Sequence, residues 1–217
     1  MESEVVIAVP SIHLLSVKDS IRDDIAVSAQ DVAITAKPGA YTGEVCAPLL
    51  VDAGIKWTLT GHSERRVGFG YPGETSEVVA TKTAVAVKAG LSVILCIGEQ
   101  LAERENGTTM IVCSEQLAAV TKVLSEKDWA KVVIAYEPVW AIGTGKVATP
   151  EQAEETHKSI REWLAANVSP VVAKQIRIIY GGSVKASNRY APSYTLTRTH
   201  KNTNLNICVY IYSLCLQ

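Results

Sequence analysis

His62 stands at a point in the chain where a neutral imidazole could take part in catalysis. It follows a predicted strand and directly precedes Ser63 and Glu64, residue types that favour the start of a helix. The partial positive charge at a helix N-terminus disfavours an imidazolium ion, so His62 would be neutral and could donate a hydrogen bond to a developing oxyanion. The alternative is a structural histidine packed at the end of a strand. We expect ordinary packing or surface roles for the remaining histidines: His13, His157 and His200.

Glu137 is the best candidate for a general base, because it directly follows the apolar run VVIAY. An unpaired carboxylate is costly to bury in a core, whereas a position at the mouth of a site would raise its pKa and make it available as a base. Pro138 restricts Glu137 to an extended backbone. The segment that follows, VWAIGTGK, could close over a ligand and exclude water. The alternative is a glutamate on the rim of a plain loop.

Paired glycines, Gly181 and Gly182, follow another predicted strand and are succeeded by Ser183. Backbone N–H groups at such glycines can approach an anion closely, although many ordinary turns have the same sequence. Together the three clusters favour abstraction of a proton next to a carbonyl group of a phosphorylated substrate, with His62 stabilising the enediolate. The sequence has no metal-ligand spacing and no nicotinamide or flavin fingerprint, so we expect no cofactor.

Short β-branched runs alternate with longer helical patterns, and several of the runs are apolar on both faces, as expected for a parallel sheet covered by helices. The predicted strands are Glu4–Pro10, Ile25–Gln30, Lys56–Gly61, Leu91–Gly98, Val132–Glu137 and Arg177–Gly182. Helices are predicted within residues 42–54, 74–90 and 149–167. The first two end at Gly54 and Gly90, and the third begins with Thr149 in a capping-box arrangement.

This alternation predicts an α/β fold, either an open doubly wound sheet or a (β/α) barrel. No GxGxxG follows the first strand, which disfavours the dinucleotide-binding version of the open sheet. In both architectures the sites lie at the C-terminal ends of the strands, where all three clusters stand.

Composition and charge exclude several classes of protein. Of the 217 residues 47% are hydrophobic, and 21 Lys+Arg against 22 Asp+Glu give a net charge of −1, so we expect no nucleic-acid partner. No apolar run approaches the ~20 residues of a membrane span, and the first residues do not resemble a signal peptide. The five cysteines are scattered without a CxxC pair, as in a soluble intracellular protein with free thiols.

Residues 186–217 differ from the rest, because they contain no acidic residue and no glycine but hold four of the eight tyrosines. We therefore predict a barrel-like domain over residues 1–185 and an atypical, poorly ordered tail over residues 186–217. Within the tail, ICVYIYSL is β-prone and uncharged; it could cover a sheet edge or promote aggregation.

The segment AYEPVWAIGTGK resembles the signature of the triosephosphate isomerase family. GAYTGE, TGHSERR, CIGE and IIYGGSV resemble further segments of that family in the same order, so the resemblance covers about residues 4–187. It implies an α/β fold of the (β/α)₈ TIM-barrel type and interconversion of dihydroxyacetone phosphate and D-glyceraldehyde 3-phosphate without a cofactor. It also implies a cytoplasmic homodimer that acts in glycolysis and gluconeogenesis.

Site residues follow from the same resemblance. Glu137 would be the catalytic base and His62 the electrophile. Glu64 would complete the catalytic group, either behind the residues that touch substrate or near the catalytic base and the cation. Gly143 and Ser183 would bind the substrate phosphate through backbone N–H groups. We expect no metal ion, no nucleic acid and no membrane among the partners.

The sequence departs from the family at both ends. It starts at what resembles the second family strand, so the Asn-x-Lys of the first loop has no counterpart, and the resemblance stops within residues 183–188. We therefore expect a barrel truncated to about six strands, with weak or absent isomerase activity and no assured homodimer. The alternatives are a non-catalytic truncated barrel that associates with a partner or a full-length subunit, and another phosphosugar isomerase or epimerase barrel.

Overall fold

A computed structural model describes residues 3–68, 70–142, 144 and 147–182, together with the backbone of residues 206–211. Its strands form one parallel sheet in the order β6-β5-β4-β3-β2-β1-β7. The strands are β1 (Ser3–Val9), β2 (Ile25–Ala29), β3 (Trp57–Thr60), β4 (Ser92–Ile97), β5 (Val132–Tyr136), β6 (Arg177–Tyr180) and β7 (Asn206–Ile211). The six strands expected from the sequence are confirmed, each within a few residues of its predicted bounds.

Eight helices alternate with these strands in the described part of the chain. They are α1 (Leu14–Ser20), α2 (Ala47–Asp52), α3 (Ser63–Val67), α4 (Ser76–Ala89), α5 (Leu101–Glu105), α6 (Thr109–Thr121), α7 (Pro150–Asn167) and α8 (Pro170–Gln175). Three 3₁₀ segments, Ser11–His13, Glu126–Lys131 and Val139–Ala141, complete the connections. This α/β alternation on one parallel sheet is the architecture that the sequence predicts.

Local capping explains where the predicted helices begin and end. Thr149 caps α7 as expected: its hydroxyl accepts the N–H of Gln152, and the Gln152 side chain accepts the N–H of Thr149. Gly90 ends α4 in the left-handed region at φ +108°. Helix α2 is shorter than predicted, because Pro48 lies in its first turn and sets the start at Ala47.

The longest helix that the sequence analysis missed is α6, which has 13 residues. Its N-cap residue, Thr108, makes no side-chain capping hydrogen bond. Without a local start signal, the helix is recognisable only by the packing of its buried residues, such as Leu117 and Val120, on the outer side of the sheet.

Two cores account for strands that are apolar on both faces. The larger lies between the helices and the sheet. The smaller lies on the inner face and consists of Val6, Ala8, Trp57, Leu59, Ile94, Cys96, Val133, Ala135 and Ile179. Because the inner core joins residues of β1 and β6, which are separated by four strands in the sheet, the sheet is curled like part of a barrel.

An ion pair also joins β1 to β6 across the inside of the curl. Arg177 donates to the Glu4 carboxylate at 2.7 Å, and its guanidinium carbon lies 5.7 Å from the centre of the Trp57 ring. All three residues stand at the N-terminal ends of their strands. This ion pair therefore does not occupy the opposite, C-terminal end of the curled sheet, where the candidate site lies.

The predicted tail contributes β7, which pairs in parallel with β1 from Ser3↔Asn206 to Ala8↔Ile211. Among the described strands, β6 and β7 lie at the two ends of the sheet and do not pair with each other. The rest of the predicted tail lies outside the described residues. In the described part of the chain, no helix has both the length and the apolar character needed to cross a membrane.

Candidate active site

The candidate site is built where β3, β4, β5 and β6 end side by side. The Glu137 N–H, just after β5, donates to the Ile97 carbonyl at 2.7 Å, and the Gly181 N–H, just after β6, donates to the Tyr136 carbonyl at 2.7 Å. These hydrogen bonds continue the sheet ladder beyond the strands. They fix the backbone of Glu137 relative to the strand ends on either side of it.

The Glu137 carboxylate is 1% exposed and is held at one oxygen only. Oε2 accepts the N–H of Ser63 at 3.0 Å, whereas Oε1 has no hydrogen-bond partner among the described residues and lies 3.4 Å from His62 Nε2. Burial raises the pKa of Glu137, and this effect outweighs the lowering of that pKa by His62, the Ser63 N–H, Cys96 and Arg66. Glu137 is therefore a stronger base than an exposed glutamate.

His62 is the N-cap residue of α3, and its backbone position determines its tautomer. Its Nδ1 accepts the N–H of Glu64 at 3.3 Å. A nitrogen that accepts a hydrogen bond carries no proton, so the imidazole is neutral with its hydrogen on Nε2. That Nε2–H is on the side of the ring that faces Glu137 Oε1.

The structure therefore brings the predicted side chains of His62 and Glu137 together, whereas that of Glu64 lies at the rim of the site. The Glu64 carboxylate is 56% exposed and lies 3.7 Å from His62 Nδ1, beyond hydrogen-bond distance. It is the backbone N–H of Glu64 that acts on His62. The predicted phosphate-binding residues Gly143 and Ser183 lie outside the described residues.

Glycines allow the backbone to pass close to Glu137, and the sequence analysis assigned no such role to Gly98. A Cβ atom at Gly98 would lie 1.7 Å from the Glu137 carbonyl oxygen, and one at Gly181 would lie 2.7 Å from Glu137 Cγ. The signal available in the sequence was a glycine directly after a run of branched apolar residues. Such a glycine marks a close approach of backbone.

Cys96 is a second neighbour of Glu137 without a role in the sequence analysis. It is fully buried, and desolvation together with the neighbouring Glu137 carboxylate raises the pKa of its thiol well above 9.0. The thiol is therefore protonated at neutral pH and does not act as a nucleophile.

Glu99 ties the segment after Glu137 to the sheet. Its buried Oε1 accepts both the Tyr136 hydroxyl and the Trp140 indole N–H at 3.0 Å, and its carbonyl accepts the N–H of Val139 at 3.1 Å. Both side-chain hydrogen bonds end on a carboxyl oxygen buried away from water, where such bonds are strong. The start of the predicted closing segment, at Val139 and Trp140, is thus held against the sheet.

His157 gives the fold a sensitivity to acid. It is completely buried on α7, neither ring nitrogen has a hydrogen-bond partner in the described part of the chain, and its ring packs edge-on to Tyr136 at 5.8 Å. Burial lowers the pKa of His157 from 6.5 to about 4. The unfolded chain then binds more protons than the folded chain between these values, so stability falls as the pH decreases from 6.5 towards 4.

We expect this single group to cost about 3 kcal/mol of stability over that pH range, since each pKa unit is worth about 1.4 kcal/mol. His157→Leu should reduce the pH dependence of the free energy of unfolding by that amount in urea titrations between pH 4 and 7. The exposed His13, changed to Leu, is the matched control. Equal pH dependence in H157L and in the unmodified chain would contradict the assignment.

Comparisons with known proteins agree with this geometry. A family model described as triosephosphate isomerase matches residues 1–193. The triosephosphate isomerase of Coprinopsis cinerea is 55% identical over 186 residues, which are 86% of this chain and 72% of the relative. The cytosolic triosephosphate isomerase of Oryza sativa subsp. japonica is 54% identical over 187 residues, with 85% and 71% covered. The chloroplastic triosephosphate isomerase of Secale cereale is 53% identical over 185 residues, with 85% and 60% covered.

Proposed function

Because the chain belongs to the triosephosphate isomerase family, we propose that its substrate is a phosphorylated triose and that its site interconverts dihydroxyacetone phosphate and D-glyceraldehyde 3-phosphate. The observation that carries this proposal is the pairing of Glu137 and His62. A buried carboxylate oxygen without a hydrogen-bond partner among the described residues faces the Nε2–H of a neutral imidazole at 3.4 Å.

Each group has a distinct part in the proposed reaction. Glu137 takes a proton from the carbon next to the carbonyl group, and the Nε2–H of His62 stabilises the negative charge that develops on the carbonyl oxygen. A proton then passes from the hydroxyl oxygen of the enediolate to the oxygen that was the carbonyl, and Glu137 returns its own proton to the neighbouring carbon, so the proton balance closes without a cofactor. The substrate has to enter between Glu137 and His62, because the two side chains are in contact.

We propose that turnover is weak or absent despite these two side chains. In the described part of the chain no lysine forms a hydrogen bond or ion pair with Glu137 or His62, and the nearby Arg66 uses its N–H groups on protein oxygens. Among the described residues, no lysine is therefore held at this pair to neutralise the charge of the substrate phosphate or of the enediolate. One preorganised donor at such a site is worth about 3–4 kcal/mol of transition-state stabilisation.

A coupled assay of purified, monodisperse protein in both directions tests this proposal. We expect turnover far below that of the C. cinerea relative measured in the same assay. Turnover comparable to that relative would contradict the proposed weakness, whereas no turnover together with no binding of either triose phosphate would contradict the proposed substrate.

A second candidate function is association with another subunit, either a full-length relative or a second copy in a homodimer. The supporting observation is the apolar, exposed character of the segment around GAYTGE, where Ile34 is 45% and Tyr41 53% exposed. Co-purification with a full-length relative would favour this function, and a lone active monomer would exclude it.

We place the protein in the cytoplasm, in glycolysis and gluconeogenesis. The support is that relatives from Oryza sativa and Gracilaria gracilis carry the name cytosolic, although the Secale cereale relative is named chloroplastic. Fluorescence microscopy of a tagged full-length chain distinguishes the two compartments.

A further inference from the structure

Arg66 places a half-buried cation between two strand ends of the candidate site. Its Nε donates to the Gly61 carbonyl at 2.8 Å and its Nη2 to the Cys96 carbonyl at 3.0 Å, and its Nη1 lies 3.5 Å from Ser76 Oγ. Gly61 directly follows β3, and Cys96 belongs to β4. The guanidinium group therefore joins two neighbouring strands at their C-terminal ends.

All of the acceptors of this half-buried guanidinium are neutral. In the described part of the chain no carboxylate lies within ion-pair distance of Arg66, whereas the adjacent Arg65 pairs with Glu74 at 2.6 Å and with Asp31 at 3.2 Å. Burial lowers the pKa of Arg66, but an arginine side chain keeps its proton in proteins. Withdrawing an unpaired charge even partly from water costs stability, so its retention here calls for a reason beyond packing.

The two carbonyl groups that Arg66 holds are next to the backbone of both candidate catalytic residues. The Gly61 carbonyl belongs to the peptide bond that leads into His62. The Cys96 carbonyl belongs to the peptide bond that leads into Ile97, and the Ile97 carbonyl accepts the Glu137 N–H at 2.7 Å. A change at Arg66 is therefore transmitted to the separation of His62 and Glu137 through short, rigid connections.

We infer that Arg66 is a positioning residue of the site: it fixes the separation of His62 and Glu137 and brings a positive charge close to the strand end beside Glu137. This inference rests on the proposed function of that pair. The groups that face Glu137 are His62 and the Ser63 N–H at the start of α3, the Cys96 thiol of β4, and Arg66 itself. Among them, Arg66 is the side chain that keeps its positive charge at any working pH, because a guanidinium group does not lose its proton in proteins.

The test compares Arg66→Met, which removes charge and hydrogen bonds, with Arg66→Lys, which keeps the charge but loses the planar fork. The exposed Arg22, changed to Met, is the matched control. The readouts are the ¹³C titration of the Glu137 carboxyl carbon and the ¹⁵N signals of the His62 ring, both measured in the full chain without substrate. Neither readout would move if Arg66 only added general stability.

We expect R66M to shift the Glu137 titration to higher pH and R66K to leave it near its original position. Both variants should change the His62 ring signals. Where turnover can be measured, both variants should also lower kcat by about tenfold to a hundredfold, because the reacting groups are misplaced. Unchanged Glu137 and His62 signals in folded R66M would overturn the inference. If R66M does not fold, unchanged His62 signals in R66K overturn it.

These readouts separate the inference from the proposed function. If the unmodified chain has neither turnover nor triose phosphate binding, the function fails, yet the Glu137 and His62 signals still decide the role of Arg66. If turnover is present and the signals do not move in R66M, only the role of Arg66 fails.

Discussion

Replacing Glu137 by glutamine is expected to lower isomerase turnover by about 10²- to 10⁴-fold, because the proposed proton transfer loses its base. Where the unmodified chain is as weak as we propose, this takes turnover to the background of the assay. Glu137→Gln keeps the size and shape of the side chain, so the loss reports chemistry rather than packing. The exposed Glu155, changed to Gln, is the matched control, and retained turnover in E137Q would contradict the assignment of the base.

The same substitution has a second expected effect, on the pH dependence of stability. The pKa of Glu137 is raised above its ordinary value of 4.5 in the folded chain, chiefly by burial. Between these two values the folded chain binds more protons than the unfolded chain, so the contribution of Glu137 to stability declines as the pH rises. Glutamine does not titrate and lacks this decline.

Urea unfolding of E137Q and of the unmodified chain at a series of pH values measures this effect without any turnover. We compare the free energies of unfolding of E137Q and of the unmodified chain as the pH rises from 4.5. The difference between them, E137Q minus unmodified, should increase by about 1.4 kcal/mol for each unit by which the pKa of Glu137 is raised. Any constant offset reflects the hydrogen bonds of the new amide and does not alter this trend. Parallel curves over the whole range would show that Glu137 is not buried as a strong base.

Gly98→Ala is expected to be the most destabilising small substitution near the site. A Cβ atom there would lie 1.7 Å from the Glu137 carbonyl oxygen and 2.6 Å from its carbonyl carbon, so rigid backbone has to move. The N–H and carbonyl of Gly98 are also held on the other side by the Gln116 amide, at 2.9 and 3.0 Å. We expect a loss of about 3 kcal/mol or more, at the upper end of what overpacking costs, together with loss of turnover as Glu137 is displaced.

Gly107→Ala is the matched control, because it separates crowding from backbone strain. Gly107 has a φ of +70° but nothing within 4 Å of its Cβ position, so alanine there should cost only about 1 kcal/mol. Thermal or urea unfolding of the two variants gives the comparison. Equal losses of stability in G98A and G107A would contradict the close approach of β4 and Glu137.

Features that depend only on residues close together in the sequence were predictable from it. The six strands of the body could be located because β-branched runs such as VVIAY recur between helix signals, and the caps at Thr149 and Gly90 act within one turn of chain. The positions of His62 and Glu137 at strand ends also follow from this local order. The family signature in AYEPVWAIGTGK is local as well, which is why the fold family and the isomerase class could be inferred before the structure.

What the tertiary structure alone decided is how distant parts of the chain meet. The hydrogen bond from the Ser63 N–H to Glu137 joins residues that are 74 positions apart in the sequence. The hydrogen bond from Arg66 to the Cys96 carbonyl joins residues that are 30 positions apart. The sequence marks Gly98 as a place of close backbone approach but does not name Glu137 as the partner, and it gives no sign that His157 is buried without a hydrogen-bond partner among the described residues. Hydrophobic periodicity specifies which face of an element is buried but not which elements become neighbours, because that choice depends on the curl and register of the whole sheet. The sequence therefore determined the chemical groups of the site, and the folded sheet determined their separation, protonation and support.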